Sequence, residues 1–501
     1  MRFLLAGTLL AVAAFGATNS PLADVAMKGD LDTLNALIKQ HPGDVNASQP
    51  DGSTALLWAA YWNDEKAVEA LLAAGANVNA SNRDGFTALS QACTNGNAHL
   101  VETLLKAGAD ANSFQAEGQT ALMTAARAGN ADAVKALLEH GAEVNTKESW
   151  RGQTALMWAT AENHPAVVQV LVDHGADVNA VSSVFDFSGM KTKPGDVPMH
   201  FPRGGFTALL FAARGGFTEC AKILLDHGAD IKAADPDGTS ALILAIINGH
   251  FDTAGFLLDR KADPNAADNM GRAPLFAAVD MYDMYGSNRP APRDGGKLNA
   301  LDIVKVLLDR GADPNAKLTK MIPARAVLDF PDVMMGEGAT PFLRATKSSD
   351  VPLMKLLLDK GADPKVVTKA GVTALMVAAG MGYHKPIRGG EQPIEAMKIC
   401  LEKGVDINAA TDKTLNTALH AAAGQGTDDI VQFLADHGAK LDAKDNKDRT
   451  PMDVALGLKA DAVGVEVHQS TADLLRKLMG PAATTTASAA TTNTTVANTA
   501  R

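Results

Sequence analysis

A segment of about 33 residues recurs along most of the chain, and this repetition constrains the fold more than any other feature. The copies "DGSTALLWAAYWNDEKAVEALLAAGANVNA", "DGFTALSQACTNGNAHLVETLLKAGADANS" and "EGQTALMTAARAGNADAVKALLEHGAEVNT" start 33 residues apart, at Asp51, Asp84 and Glu117. With an irregular first copy from Ser20, we count twelve; the others start at or near Arg151, Gly204, Asp237, Met270, Glu337, Ala370, Leu415 and Lys447. Such a period indicates stacked units that bury their apolar faces only against their neighbours.

Each copy predicts two short helices joined by a turn. In the fifth copy, Thr154 suits the N-cap of the first helix, because its hydroxyl can accept a free backbone N–H. Pro165 suits the first turn of the second helix, and Gly175 suits a left-handed C-cap. Neither helix is long enough to be stable alone, so the sequence requires the stack.

The pattern "TALxxAxxxGxxxxVxxLLxxGADxNAxxxxG" resembles the ankyrin repeat over about residues 20–480. This resemblance implies an all-α solenoid of about twelve stacked repeats, in which the first helices line a concave groove beside the turns, or fingers. It also implies protein binding through groove and fingers without catalysis, as in similar exported multi-repeat proteins of bacteria. The family's Thr-Pro-Leu-His signature is incomplete, since its histidine occurs only at His420. Apolar side chains replace it elsewhere, and we expect packing in place of its hydrogen bonds.

Both ends of the chain differ from the repeats. Arg2 precedes an apolar run and then small residues, which predicts a signal peptide over residues 1–17; an uncleaved anchor is the alternative. We therefore expect an exported, periplasmic or extracellular protein with no membrane insertion after cleavage, and a monomer. Residues 481–501 are rich in alanine and threonine and predict a disordered tail.

The composition and motifs argue against several kinds of chemistry. The net charge of −11 disfavours nucleic-acid binding, which rewards basic surfaces. Cys93, Cys220 and Cys400 are too few to form a disulfide framework, and we expect buried free thiols. No metal, phosphate-binding or haem motif occurs, so we predict no catalytic residues, no metal and no cofactor.

Four insertions interrupt the period, at residues 181–203, 281–298, 317–336 and 382–393. Long loops in compact arrays are often functional, although surface insertions are also tolerated at little cost. The segment 181–203 is the strongest candidate, because it carries Phe185, Phe187, Met199 and Phe201 among basic residues.

The few aromatic residues cluster at positions that the register assigns to the groove and fingers of the N-terminal half. The predicted protein-binding residues are Trp58, Tyr61, Trp62, Phe86, Gln91, Arg127, Trp150, Trp158, Glu162, Phe206, Phe211 and Arg214. Aromatic residues and arginine dominate the energetics of interfaces. A binding surface requires Trp58 and Trp158 to be solvent-accessible. The alternative is that they pack on neighbouring first helices or beneath the segment 181–203.

These observations favour a non-enzymatic scaffold of the cell envelope or exterior that binds a protein partner in its groove. One alternative is a small-molecule-binding or enzymatic protein with a pocket beneath the insertions. Another is a secreted effector that acts in another cell. A flat, open aromatic face favours a protein partner, whereas an enclosed cavity with convergent polar groups favours a small ligand.

Overall fold

The computed structural model describes residues 20–185, 203–282, 296–322, 336–381, 392–459 and 466–480. The predicted signal peptide, the tail 481–501 and most of the four insertions lie outside these ranges. The chain divides into two compact units, with the boundary in the repeat array between Pro236 and Asp237. Unit 1 comprises the described residues up to 236, and unit 2 comprises those from 237 onward.

Unit 1 consists almost entirely of paired short helices. They are α1 (Pro21–Met27), α2 (Leu31–Gln40), α3 (Ala55–Tyr61), α4 (Glu65–Ala73), α5 (Ala88–Asn95), α6 (Ala98–Lys106), α7 (Ala121–Ala128), α8 (Ala131–Glu139), α9 (Ala155–Ala161), α10 (Pro165–Asp173), α11 (Ala208–Gly215) and α12 (Thr218–Asp226). Its two strands, β1 (Val184–Phe185) and β2 (Arg203–Gly204), pair antiparallel at the base of the insertion 181–203. Short 3-10 turns cover Pro42–Asp44 and Ala116–Gly118.

Unit 2 repeats the same pairing. Its helices are α13 (Ala241–Ile247), α14 (Phe251–Asp259), α15 (Pro274–Tyr282), α16 (Ala300–Asp309), α17 (Pro341–Lys347), α18 (Val351–Asp359), α19 (Ala374–Ala378), α20 (Pro393–Glu402), α21 (Ala418–Gln425), α22 (Asp428–Asp436), α23 (Pro451–Ala455) and α24 (Gln469–Met479). The fold class that the resemblance to the ankyrin repeat implies, an all-α solenoid of helix pairs, is confirmed.

The local signals place the helix ends where the sequence predicts them. The Thr154 hydroxyl accepts the backbone N–H of Met157 at 3.4 Å, Pro165 opens α10, and Gly175 has a φ of +82°. Threonine or serine caps the first helix in the same way in most other repeats, as Thr120 does for Met123 at 3.2 Å.

Helices pack in two layers within each unit. In unit 1, the first helices α3, α5, α7, α9 and α11 contact one another in order, and second helices such as α6, α8, α10 and α12 form the other layer. The residues between the layers are apolar and buried, for example Leu56, Leu122 and Leu156. The exposed side of the first-helix layer, together with the finger turns before those helices, is called the first-helix face below.

An asparagine after most second helices links neighbouring repeats. Asn79 donates through Nδ2 to the Gly108 carbonyl (3.0 Å) and accepts the N–H of Asp110 (2.8 Å). The same pair of bonds recurs at Asn46, Asn112, Asn145, Asn179, Asn265, Asn315 and Asn408. Each asparagine therefore satisfies a carbonyl and an N–H at the end of the next second helix.

Two of the predicted insertions overlap helix ends by one or two residues. The helix α15 continues through Tyr282, so the insertion predicted from residue 281 begins inside a helix, and α20 already starts at Pro393. A further long connection, between Ala455 in α23 and Gln469 in α24, was not predicted.

Repeat seven carries a local backbone strain at the end of its second helix. Lys261 has a φ of +69° at the position that glycine occupies after most other second helices. A side chain in this left-handed region costs roughly 1 kcal/mol. We therefore expect Lys261→Gly to raise the free energy of unfolding of unit 2 by about 1 kcal/mol in urea denaturation. The reverse change, Gly311→Lys, is the matched control: Gly311 has a φ of +87° and open space around its Cβ position, so it should lower stability by a similar amount. An unchanged midpoint for Lys261→Gly would contradict the strain.

Candidate protein-binding surface

Of the N-terminal aromatic residues, Trp58 lies in the core, whereas Tyr61 and Trp62 are partly exposed and hold contacts within the chain. Trp58 in α3 is only 8% exposed, so it lacks the accessibility that a binding surface requires and agrees with the alternative that it packs within the chain. Its indole Nε1 donates to Oε1 of Gln49 at 2.8 Å, and Tyr61 packs edge-on against its ring at 5.5 Å. Trp62 is 53% exposed, but its Nε1 donates to the Met27 carbonyl at 2.9 Å.

These contacts attach the irregular first repeat to the second. Gln49, which accepts from Trp58, donates in turn to the Asp24 carboxylate in α1 at 2.7 Å. Trp62 reaches the end of the same helix. The aromatic group Trp58, Tyr61 and Trp62 thus explains how a short, divergent terminal repeat docks. The sequence analysis did not identify Gln49 as a partner of Trp58, although the two residues are only nine positions apart.

A second aromatic group lies on the first-helix face of repeats four to six. Trp158 in α9 is partly buried, and the guanidinium of Arg127, at the end of α7, lies over its ring at 5.0 Å. Phe206 and Phe211 meet edge-on at 5.3 Å, and the Arg214 guanidinium lies 5.1 and 5.0 Å from their ring centres. Phe211 is 7% exposed, so its ring supports Arg214 from below rather than offering a free surface.

At the tip of the finger of repeat five, another arginine stacks on an aromatic ring. Trp150 is 56% exposed, and the Arg151 guanidinium lies 4.1 Å from its ring centre. The turn is held by the buried Glu148 carboxylate, which accepts the backbone N–H groups of Trp150, Arg151 and Gln153 at 2.6 to 2.9 Å. Sequence reasoning missed Arg151, although it adjoins the predicted Trp150. We call Arg127, Arg151, Arg214, Trp150, Trp158, Phe206 and Phe211 the arginine–aromatic cluster.

The cluster is positively charged. Burial lowers the pKa of the Arg214 guanidinium, and the nearby positive charge of Arg151 lowers it further. Arg214 nevertheless remains charged, because arginine does not deprotonate in proteins. Glu162, predicted as a binding residue, is exposed just after α9 and forms no ion pair among the described residues.

The remaining predicted residues lie on the neighbouring repeat. Phe86 and Gln91 are partly buried, on the third finger and in α5. Phe114 on the fourth finger was not predicted, although at 70% it is the most exposed large apolar side chain described. Its place is that of Ser48 and Ser81 in the preceding fingers, and comparing these positions would have revealed it.

The described residues offer little chemistry beyond this surface. Cys93, Cys220 and Cys400 are free and buried; burial raises the pKa of Cys93 and Cys400 to about 12 and that of Cys220 to about 11. No cluster of acidic, histidine or cysteine side chains in the described ranges could hold a metal ion. None of the described helices combines the length and hydropathy needed to span a membrane.

A cleft of about 590 Å³ opens at the N-terminal end, between Lys28 and Lys66, and is lined partly by Trp62. It does not lie beneath any of the predicted insertions. The alternative of a pocket under the insertions concerns segments that lie mostly outside the described residues.

His420 makes the hydrogen bonds that the family resemblance implies. Its Nδ1 accepts the Thr417 backbone N–H at 3.2 Å, and its Nε2 lies 3.1 Å from the Arg449 carbonyl on the next finger. Since Nδ1 accepts, Nε2 carries the proton and donates. Burial is the main reason that the pKa of His420 lies below its ordinary value, and protonation of Nδ1 would break the bond from Thr417.

Acid should therefore weaken unit 2 through His420. The unfolded chain takes up this proton below about pH 6.5, before the folded chain does, so the stability contributed by neutral His420 is complete above that pH and declines below it. We expect His420→Met, which copies Met123 and Met157 at the equivalent positions, to reduce the loss of unfolding free energy between pH 7 and pH 5. Urea denaturation of both proteins across this range provides the measurement, and their difference should be constant above pH 7. Parallel pH profiles throughout would refute the assignment.

Comparison with known proteins identifies the family. The model for "Ankyrin repeats (3 copies)" matches residues 22–115, 107–182, 191–268, 296–389 and 387–465, and that for "Ankyrin repeats (many copies)" matches residues 156–225. The chain belongs to the ankyrin-repeat family. Ankyrin repeats generally mediate protein–protein binding, and the family is typically a non-enzymatic interaction scaffold.

Individual relatives match only part of the chain. The Neurogenic locus Notch protein of Drosophila melanogaster is 37% identical over 100 residues, which cover 19% of this chain and 4% of that protein. The Ankyrin repeat and KH domain-containing protein mask of the same species is 36% identical over 85 residues, which cover 17% and 2% respectively. The crystal structure of the human ASB11 ankyrin repeat domain is 28% identical with a TM-score of 0.40, covering 49% of this chain and 99% of that one. The chain thus spans only a few per cent of the length of these two curated relatives.

Proposed function

We propose that this protein is an exported, non-catalytic scaffold that binds a protein partner on the first-helix face of unit 1, at repeats four to six. The observation that carries the proposal is the arginine–aromatic cluster, where exposed guanidinium groups stack on rings that the fold holds in place. Stacking on the rings restricts the arginine side chains before binding, which reduces the entropy that binding must remove. The open, ring-lined face suits a protein surface better than an enclosed small molecule.

The binding proposal is tested by comparing opposite faces of the same unit. Trp150→Ala and Trp158→Ala remove rings from the first-helix face. The combined change Lys106→Gln, Lys135→Gln and Lys222→Gln alters exposed side chains on the second helices and serves as the control. Partners captured by the wild-type protein from its native extracts should be lost with the tryptophan variants and retained with the lysine variant. Partners that both sets of variants retain would refute binding at this face.

The export proposal depends on the apolar segment near the N-terminus. We expect cleavage after Ala14, Gly16 or Ala17, because small residues precede typical cleavage sites. Cell fractionation and N-terminal sequencing of the mature protein test it directly. An intact N-terminus on protein in the cytoplasm would refute it.

A further inference from the structure

Each of the three arginines in the cluster contacts an aromatic ring through one face of its guanidinium group. Arg127, Arg151 and Arg214 are exposed, and each places its guanidinium over an aromatic ring. Within the described part of the chain, none of them forms an ion pair or donates a side-chain hydrogen bond. Stacking occupies the flat face of a guanidinium and leaves its N–H edge free. Three such edges therefore remain available on one surface.

The arginines of unit 2 are used differently. Their guanidinium groups mostly lie beside aspartates of the same unit, as in the pairs Arg272–Asp268, Arg310–Asp259, Arg344–Asp280, Arg449–Asp445 and Arg476–Asp473. Two of these pairs, at Arg272 and Arg449, also hold finger turns. A structural arginine in this protein is thus typically satisfied by a carboxylate of its own chain. The cluster in unit 1 lacks that carboxylate.

The backbone under the cluster is fixed. The ring Nε2 of His164, which caps α10, lies 3.0 Å from the carbonyl of Arg127 and ties the end of α7 to the next repeat. Glu148 holds the turn that carries Arg151, and Phe206 and Phe211 pack on Met157 in the neighbouring repeat. The three guanidinium groups therefore project from a rigid base, as a preformed recognition surface requires.

The free edges and the adjacent rings define what fits. A guanidinium edge binds a carboxylate through two parallel N–H···O bonds, which are stronger than neutral hydrogen bonds. The exposed Trp150 offers an apolar contact next to the edge of Arg151. A nucleic acid is less well matched, because the chain carries a net charge of −11 and the exposed Glu162 directly follows α9, which contains Trp158.

From this charge complementarity we infer that the partner presents a segment combining aspartate or glutamate with apolar residues, whose carboxylates pair with Arg127, Arg151 and Arg214. The inference rests on the proposed function and specifies the chemistry of the partner. Because the pairs are partly exposed, they should give the complex a marked dependence on ionic strength and speed association.

The test uses the full chain and a library of random short peptides displayed on yeast. Peptides selected on the wild-type protein should be enriched in aspartate and glutamate relative to the unselected library. For the combined variant Arg127→Gln, Arg151→Gln and Arg214→Gln, the affinity of these peptides should fall by at least about tenfold, which is equivalent to about 1.4 kcal/mol. The affinity that remains should depend much less on salt concentration. The combined lysine variant on the second helices removes the same charge and should bind as the wild type does. Replacing the three arginines by lysine should restore only part of the affinity, because lysine lacks the planar fork.

The outcomes separate this inference from the proposed function. Selected peptides that lack an acidic excess, yet lose affinity with Trp150→Ala and Trp158→Ala, would overturn the inference and leave the binding face in place. Peptides that bind all variants equally would overturn both. Arginine-dependent binding of a single-stranded oligonucleotide that displaces the acidic peptides would also overturn the inference, in favour of a phosphate ligand. Circular dichroism confirms that each variant is folded before binding is compared.

Discussion

Trp58→Ala is expected to lower the free energy of unfolding of unit 1 by about 3–5 kcal/mol, the range for truncating a large buried aromatic side chain. The change removes a ring that is 8% exposed and leaves Oε1 of Gln49 without its indole donor. It also removes the hydrogen bond that links Trp58 through Gln49 to Asp24 in α1. Relative to the wild type, the exchange of amide protons should therefore accelerate more in α1 than in α5. Urea denaturation and hydrogen exchange measure the two effects.

Two further substitutions make this expectation specific. Trp58→Phe keeps most of the packing and should cost about 1 kcal/mol for the lost hydrogen bond. Trp150→Ala removes a ring that is 56% exposed and should change stability by less than about 0.5 kcal/mol. A loss below that limit for Trp58→Ala would show that the tryptophan is not a core residue and would return it to the set of candidate binding residues.

Trp158→Ala should lie between these cases. Its ring is partly buried, and its Nε1 is enclosed without a hydrogen-bond partner among the described residues, unlike that of Trp58. Repeat five has Glu148 near the place of Gln49, and that carboxylate is occupied by its own finger turn. The two tryptophans occupy the same position of the repeat but have different partners. Trp58 contacts Gln49 of the first repeat, whereas Trp158 supports the guanidinium of Arg127 on the first-helix face.

The repeated pattern was sufficient to predict the fold. Caps such as Thr154 and C-terminal glycines such as Gly175 act within a few residues, so their roles follow from the local sequence. The asparagine links were visible as a recurring residue but went unrecognised, because their partners lie about thirty residues away, as Gly108 does from Asn79. The division into two units was not predicted. The boundary after Pro236 lies between two departures from the repeat pattern. In repeat six, Lys232 replaces the asparagine that follows most second helices, and in repeat seven, Lys261 replaces the glycine that ends them.

The candidate site was predicted only in part. Helical register correctly assigned Trp158, Phe211 and Arg214 to the first helices, but it could not tell a ring that faces solvent from one covered by a neighbour. That distinction depends on contacts across repeats, such as the bond from Trp58 to Gln49. The pairing of Arg127 with Trp158 has the same origin. Arg127 and Trp158 are 31 positions apart in the sequence and meet only in the stack.

The finger of the last repeat contains a buried ion pair that should contribute strongly to the stability of unit 2. The Asp445 carboxylate is fully buried and accepts the backbone N–H groups of Lys447 and Arg449 and the Arg449 Nε, at 2.7 to 2.9 Å. Burial alone would raise the pKa of Asp445, but the hydrogen bonds from Arg449 outweigh it and hold the pKa below its ordinary value. The stability contributed by ionised Asp445 is therefore complete above about pH 4 and is lost as the pH falls further.

Asp445→Ala is expected to lower the free energy of unfolding of unit 2 by about 3–5 kcal/mol at pH 7, because it leaves a largely buried guanidinium and two backbone N–H groups without their acceptor. The double variant Asp445→Leu, Arg449→Met removes both charges and should recover part of this loss, as replacing a whole buried pair often does. Asp442→Ala, at an exposed position in the same segment, changes the charge equally and should cost less than about 0.5 kcal/mol. Urea denaturation at pH 7 ranks the three. Equal losses for Asp445→Ala and Asp442→Ala would contradict the structural role of the pair, and a double variant no more stable than Asp445→Ala would show that the backbone bonds, rather than the ion pair, hold the turn.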